Sequence, residues 1–214
     1  AMRFNSVKKI VFTSTAPIYG DNKKFPTPEN APLSNQTSLY GASKLYCEGL
    51  IQSYCEGYNF QSWIYRFVSI LGNRYTHGHV YDFYKQLVFK NKKKLFILGD
   101  GMQKKSYLDV KDCITAILIS TKKSKEKINT FNLGCDDYIN VKKSAKIISK
   151  KLNLNPKFIF AGGKTGWIGD QPFVYLSTKK IKKLGWKNRV SIEDSIIKTV
   201  NWLSNNKWVF KIRK

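Results

Sequence analysis

Two groups of side chains in this sequence are spaced for proton chemistry. Tyr40 and Lys44 stand four apart in Tyr40-Gly41-Ala42-Ser43-Lys44, and a hydroxyl run, Thr13-Ser14-Thr15, precedes them. On a helix, residues four apart share one face. A phenol with a reference pKa of about 10 is a poor base at neutral pH, and an ammonium one turn away favours the phenolate and lowers that pKa. A Thr or Ser hydroxyl opposite can hydrogen-bond the same substrate oxygen. The set could then take a proton from a substrate hydroxyl while hydride leaves its carbon. A tyrosine and a lysine at this spacing also arise by chance in any long chain, so the weight of the pair depends on the elements that carry it.

Lys9-Ile10-Val11-Phe12 is a short apolar run that reads as a buried strand, which puts the hydroxyls at its carboxyl end, where open α/β sheets place ligands. A helix is expected over about 38–57, with Thr37 or Ser38 as its cap and Leu39, Leu45, Leu50 and Ile51 as its apolar stripe. Gln61–Val68 reads as a strand, Gly72–His79 as a polar loop, Val80–Phe89 as a helix, and Leu95–Leu98 as a strand stopped by Gly99-Asp100-Gly101. Asp109 or Asp112 should cap a helix to about Thr121, with Cys113, Ile114, Ala116, Ile117 and Leu118 facing the core. Strand Thr130–Leu133, amphipathic helix Val141–Leu152, strand Phe158–Phe160 and helices Ser177–Leu184 and Ile192–Leu203 complete the chain. Strands alternating with helices imply a parallel sheet and an α/β fold.

Six pieces together resemble the extended short-chain dehydrogenase/reductase family, the NAD-dependent nucleotide-sugar epimerases and dehydratases. They are the Thr/Ser-rich strand end closing on Tyr19-Gly20, the Tyr40/Lys44 pair, Arg66-Phe67-Val68-Ser69-Ile70-Leu71-Gly72, Gly99-Asp100-Gly101 leading to Tyr107–Asp112, Phe131-Asn132-Leu133-Gly134, and Gly169-Asp170-Gln171-Pro172 before Leu184-Gly185-Trp186. They follow the family's order and span nearly the whole chain. The resemblance implies the C-terminal part of a Rossmann-type parallel sheet plus a smaller α/β sugar-nucleotide-binding domain. Residues 1–67 would close the NAD-binding domain, and 68–214 would build mainly the substrate domain, with some return to the main sheet.

It also implies roles. Thr15, Tyr40 and Lys44 would be catalytic, and Thr13, Ser14, Tyr40, Lys44, Phe67 and Val68 would border the NAD. Thr15, Ser69, Arg74 and Lys105 would meet the substrate. The sequence departs from the family in three places. Ser69 stands where many relatives have Asn, and Lys105 where they have an Arg that reaches the nucleotide diphosphate; Lys keeps the charge but loses the bidentate fork. Trp167 and Ile168 stand where an Arg usually precedes Gly-Asp, and Trp167 reads as a core tryptophan, with packing on base or sugar as the alternative. The residue run at Ala1-Met2-Arg3 resembles the middle of a family helix, so the first strand, the glycine fingerprint for the pyrophosphate and the acidic residue for the ribose are expected upstream of this sequence. Gly162-Gly163-Lys164-Thr165 looks like half a phosphate loop, but Phe158 occupies the place of its first glycine, and the segment reads as a turn.

Composition narrows the partners. The 214 residues carry 38 basic and 14 acidic side chains, a net charge of +24. Nucleic acid would be one reading of that charge. Against it, only five of the basic residues are arginines (Arg3, Arg66, Arg74, Arg189 and Arg213), the lysines are spread along the chain, and abundant Lys and Asn fit an AT-rich genome. Attraction of an anionic sugar nucleotide is the use the charge retains. No run of about 18 apolar residues is present, so no membrane span is expected. The first residues lack the apolar core of a signal peptide, and Cys47, Cys55, Cys113 and Cys135 form no CxxC, which together point to free thiols and a cytoplasmic location. His77 and His79 have no Cys or Glu companions at metal spacing, so no metal is expected.

Within the family, the residues after the catalytic Thr help choose the reaction. Dehydratases carry Asp-Glu there and decarboxylating relatives Ser-Glu, because those reactions need an additional acid and base. Here Ala16-Pro17 follows Thr15. The expected activity is therefore an NAD-dependent nucleotide-sugar 4-epimerase of the UDP-hexose type, a homodimer if full length. A dehydratase, reductase or decarboxylase of the same family, and a non-catalytic sugar-nucleotide-binding remnant, are the alternatives.

Overall fold

The computed structural model describes residues 1–167 and 169–212; Ile168, named above, lies outside them. In chain order the elements are β1 (Lys9–Thr15), a 3-10 turn (Ala16–Tyr19), α1 (Leu39–Tyr58), β2 (Gln61–Phe67), β3 (Ser69–Leu71) and α2 (His79–Lys85), which runs on as a π turn (Gln86–Lys90). Then come β4 (Lys94–Ile97), β5 (Lys104–Lys105), β6 (Tyr107–Asp109), α3 (Val110–Lys123), β7 (Ile128–Leu133), β8 (Ile139–Asn140) and α4 (Val141–Lys151). β9 (Lys157–Phe160), β10 (Phe173–Val174), α5 (Lys179–Lys182), α6 (Ile192–Asn205) and α7 (Val209–Ile212) follow.

The α/β architecture expected from the sequence is present. β1, β2 and β7 form a parallel sheet in the order β1-β2-β7. Its register sets Ser14 beside Arg66 and Thr15 beside Phe67, and Phe67 in turn beside Leu133. The three carboxyl ends are thus level, and Val68-Ser69 continues from one of them. β3-β6 and β4-β9 are parallel pairs, and β10-β5-β8 is a small mixed sheet. One core cluster lies on the main sheet, around Ile18, Tyr65, Leu133, Ile181 and Trp186. The other joins α2, α4 and α6 through Val80, Tyr84, Ile148, Ile196 and Leu203.

Three expectations need correction. β1 is not a buried strand: only Ser14 and Thr15 are buried, and Val11 is half-exposed. Among the described residues β1 pairs with β2 alone, so its apolar residues have cover on one side. The apolar stripe of α1 is not its buried face, since Leu39 and Leu50 are exposed and the buried residues are Gly41, Glu48 and Cys55. On α3, Ile114 and Leu118 are exposed, and Asp112, Cys113, Ala116 and Ser120 face inward. In both helices the inner face is chosen by what the sheet offers, including polar partners, and apolar spacing alone misplaces it. Of the two caps weighed for each, Ser38 caps α1 by accepting from Gly41 N, and Asp109 caps α3 by accepting from Lys111 N.

Candidate active site

The start of α1 is pressed against the turn that follows Thr15. A Cβ on Gly41 would meet the carbonyl oxygen of Pro17 at 2.9 Å and Ser38 Oγ at 3.1 Å. A glycine there lets the helix backbone approach the turn closely. Tyr40 and Thr15 consequently open onto one cavity of about 1080 Å³, Tyr40 being 56% exposed and Thr15 7%. The phenol is accessible to a ligand, while the threonine is held by an extended backbone at the start of the turn.

Farther along α1, Lys44 Nζ donates to Thr13 O at 2.8 Å and sits 5.9 Å from the Tyr40 ring centroid. One turn on, Glu48 is buried where α1 meets β1 and β2. Ser14 Oγ donates to its Oε1, and Arg66 donates to both carboxylate oxygens, with Nη2 to Oε2 at 2.7 Å. Arg66 Nη1 also donates to Tyr19 OH and Glu29 O, both at 2.9 Å, and Tyr19 OH donates to Asn132 Oδ1 at 2.7 Å. Burial works against the Arg66 charge, but its bonds to Glu48 and Tyr19 outweigh that and hold its pKa above the ordinary value. Tyr19 is pushed up by burial, with Arg66 opposing. Tyr40, Lys44 and Glu48 thus share one face of α1, and of the three Lys44 bonds β1 while Glu48 bonds β1 and β2.

Of the residues singled out in the sequence, Ser14, Thr15, Tyr40, Phe67, Val68, Ser69 and Lys105 line the same cavity. The Ser14 hydroxyl is committed to Glu48. Thr13 and Lys44 meet on the exposed side of β1, and Arg74 is exposed, in a left-handed conformation, on the loop before α2. Trp167 is not a core residue: it is 63% exposed at the cavity, 5.7 Å from Lys105 Nζ.

Lys105 is among the residues named from the sequence; its pairing with Asp170, and several other cavity residues, have no prominent sequence signal. Lys105 Nζ donates to Asp170 Oδ1 at 2.6 Å and to Gln171 O, and burial lowers its pKa, with Asp170 opposing that shift. His79 bonds Ser144 Oγ through Nε2 and Tyr107 OH through Nδ1, and its pKa is lowered to about 4, chiefly by burial and secondarily by the Lys105 charge. It is a neutral imidazole at pH 7. Tyr75, also at the cavity, is pushed well up by burial and by Asp82, so it stays protonated. Gln86, in the π turn, pairs with both backbone groups of Phe96, Nε2 to O at 3.1 Å and N to Oε1 at 3.0 Å. That side chain ties the cavity's far wall to β4. The usable signals were polar residues in apolar company: Glu48 one turn past Lys44, and Arg66 inside a strand of aromatic residues.

Residues 1–134 match the model of the NAD dependent epimerase/dehydratase family. The dTDP-D-glucose 4,6-dehydratase of Mus musculus is 28% identical over 205 residues, covering 94% of this chain and 57% of that protein. A solved UDP-galactose 4-epimerase has a TM-score of 0.86 and 29% identity, covering 97% of this chain and 66% of its own. The UDP-glucose 4-epimerase of the hyperthermophilic eubacterium Thermotoga maritima, solved with UDP-glucose, has a TM-score of 0.83 and 25% identity, covering 96% and 66%. This chain spans between 57% and 66% of the length of the curated relatives it matches first.

Proposed function

Since this chain belongs to the NAD dependent epimerase/dehydratase family, we propose that it serves a nucleotide-sugar 4-epimerase of the UDP-hexose type, with Tyr40 as the acid–base residue. The observation that carries this reading is the surroundings of Thr15. Tyr40 shares its cavity, and the residues that follow it are Ala16 and Pro17, which bring no carboxylate. Of the two cavity carboxylates, Asp82 sits on α2 and Asp170 is held by Lys105, so neither is adjacent to Thr15 along the chain. Elimination of water needs an additional acid and base; inversion at C4 does not.

The residues fit the cofactor's ribose and nicotinamide. Lys44 spends one N–H on Thr13 O and keeps two for ribose hydroxyls, and Tyr40, Phe67 and Val68 gather at the level strand ends. When bound, NAD supplies the hydride acceptor and donor that make C4 a ketone and then an alcohol again. Tyr40 takes the proton of the C4 hydroxyl and returns it, Thr15 orients that oxygen, and Lys44 keeps positive charge one turn from the phenol. Ser69 and Lys105 serve the substrate on the other side of the cavity, with Arg74 near its loop. Residues 1–67 then belong to the cofactor domain and 68–214 mainly to the substrate domain. The exposed Leu39, Tyr46, Leu50, Tyr54 and Tyr58 along α1 support a homodimer through that helix. No helix among the described residues is long and apolar enough to cross a membrane.

The kinship to dTDP-D-glucose 4,6-dehydratase makes a dehydratase the second reading. Native mass spectrometry of the protein from its source, followed by assays with UDP-hexoses, tests the proposal. Retained NAD and C4 inversion are expected, with turnover lost in Tyr40→Phe. A Tyr40→Phe protein with wild-type turnover overturns the assignment, and 4-keto-6-deoxy product would select the dehydratase.

A further inference from the structure

The positive charge is not laid evenly over this molecule. Residues 83–99, 138–167 and 195–212 carry 15 lysines, no arginine and no Asp or Glu, so they hold 15 of the net +24. All 14 acidic residues lie elsewhere in the chain. A lysine-rich composition by itself would intersperse acids here as it does there. The three segments pack as one lobe: the core around α2, α4 and α6 takes Leu87 and Leu95 from the first, Ala145 and Ile148 from the second, and Ile196 and Leu203 from the third. Within the lobe, lysine stands beside lysine. Lys94 and Lys157 are register partners on β4 and β9, and Lys142, Lys146 and Lys150 follow at four-residue spacing on α4, all of them exposed. Like charges at these spacings repel, on a strand pair as on a helix.

At one end of the lobe two aromatic side chains stand out among these lysines. Phe89, in the π turn, is 50% exposed, and Trp208, just before α7, is 54% exposed. The Phe89 ring lies 5.0 Å from that of Phe210, two residues past Trp208, so the π turn and α7 adjoin. Phe89 is followed by Lys90 and by Lys92-Lys93-Lys94, and Trp208 follows Lys207. We propose that this lobe docks on an anionic lipid surface, with Phe89 and Trp208 as its interfacial anchors. Exposed rings of this kind settle at the level of the headgroups, and a lysine cluster beside them is drawn to a negatively charged leaflet. The surface also supplies the counter-charge that the lobe's own sequence lacks. Phosphate forks and base edges of nucleic acid favour Arg, of which these segments have none. An ammonium on a flexible stem is a point charge and suits a fluid array of headgroups that has no fixed geometry to match. The contact is peripheral and independent of the reaction assigned to the cavity.

The test is co-sedimentation of the full gene product with phosphatidylcholine vesicles made with and without phosphatidylserine. Binding at least about tenfold tighter to the phosphatidylserine vesicles is expected, and it should weaken as salt rises. Replacing Lys92, Lys93 and Lys94 together by Gln should weaken it about a hundredfold, the combined effect of three lysines at a charged surface. Brominated acyl chains in the same vesicles should quench part of the tryptophan emission, and Trp208→Phe should remove that part while keeping an aromatic anchor. Equal binding to both vesicles, a triple variant that binds as the wild type does, or quenching that survives in Trp208→Phe overturns the proposal. Binding to duplex DNA without binding to either vesicle also overturns it and assigns the lobe to nucleic acid. Should the triple variant not fold, the wild type decides: quenching that high salt reverses supports the docking, and an absence of quenching overturns it.

Discussion

Glu48→Ala should destabilise this fold by about 4 kcal/mol, because removing one partner of a buried ion pair leaves the other charge without compensation. The Glu48 side chain is 1% exposed and the Arg66 side chain 8%, so neither has water to fall back on. The substitution strips Arg66 of its three bonds to the carboxylate, leaves it only Tyr19 OH and Glu29 O, and orphans the Ser14 hydroxyl. For a chain of this size each kcal/mol moves Tm by about 2–4 °C, so a fall of about 8–16 °C is expected in thermal unfolding. Replacing both partners, as Glu48→Leu with Arg66→Met, removes the charges together and should recover most of the loss, since apolar side chains of similar volume often match a buried pair. The double variant also separates stability from positioning. Glu48 is the last of three residues on the α1 face that begins with Tyr40, and without its bonds to β1 and β2 the helix loses the contact that fixes its rotation. A stable double variant with reduced kcat is therefore expected in the complete enzyme. A loss below about 1 kcal/mol in Glu48→Ala would refute the buried-pair argument, because that is the range of solvated pairs.

Gly41→Ala gains about 1 kcal/mol of helix propensity but sets a methyl 2.9 Å from Pro17 O. Overpacking of this kind costs about 1–3 kcal/mol, so stability should change modestly while kcat falls as Tyr40 shifts; unchanged kcat would show that the close approach does not position Tyr40. His79 has its pKa lowered from the ordinary value to about 4, so below pH 6.5 the unfolded chain takes up a proton that the folded chain refuses. Stability should accordingly fall by up to about 3 kcal/mol between pH 6.5 and 4, and His79→Gln should flatten that limb of the urea-unfolding profile.

How far the sequence could be read depended on whether an interaction is local. Tyr40, Lys44 and their cap Ser38 lie within seven residues, and helical spacing is enough to place them on one face. Thr15 at a strand end follows from the apolar run before it. Lys105–Asp170 has no such cue: nothing in the spacing says that β5 and the segment before β10 converge, although the resulting sheet pairs Phe173 with Lys104. The inner face of α1 was misread for a physical reason. The apolar-moment argument assumes that a helix buries its apolar side, whereas α1 buries a glycine at the turn and a carboxylate at the sheet, and leaves Leu39 and Tyr46 outside.

The scarcity of acid in this chain joins these observations. With 14 acidic residues against 38 basic ones, the carboxylates drawn inside are each engaged: Glu48 on Arg66, Asp170 on Lys105, Asp109 and Asp112 on backbone N–H groups. The cavity's buried cation is therefore neutralised locally, and the long-range pull on an anionic substrate must come from the surrounding lysines. These two sources respond differently to salt. Screening acts over about 8 Å at physiological ionic strength and weakens the surface field, while a contact inside the cavity is screened far less. The affinity for UDP should thus fall steadily as salt rises. Lys105→Met should lower it by a similar factor at every salt concentration and leave the slope in place. Neutralising three exposed lysines, such as Lys92, Lys93 and Lys94, should instead flatten the slope. Calorimetry across a salt series distinguishes the two, and a UDP affinity independent of salt in the wild type would mean that the +24 charge plays no part in capture.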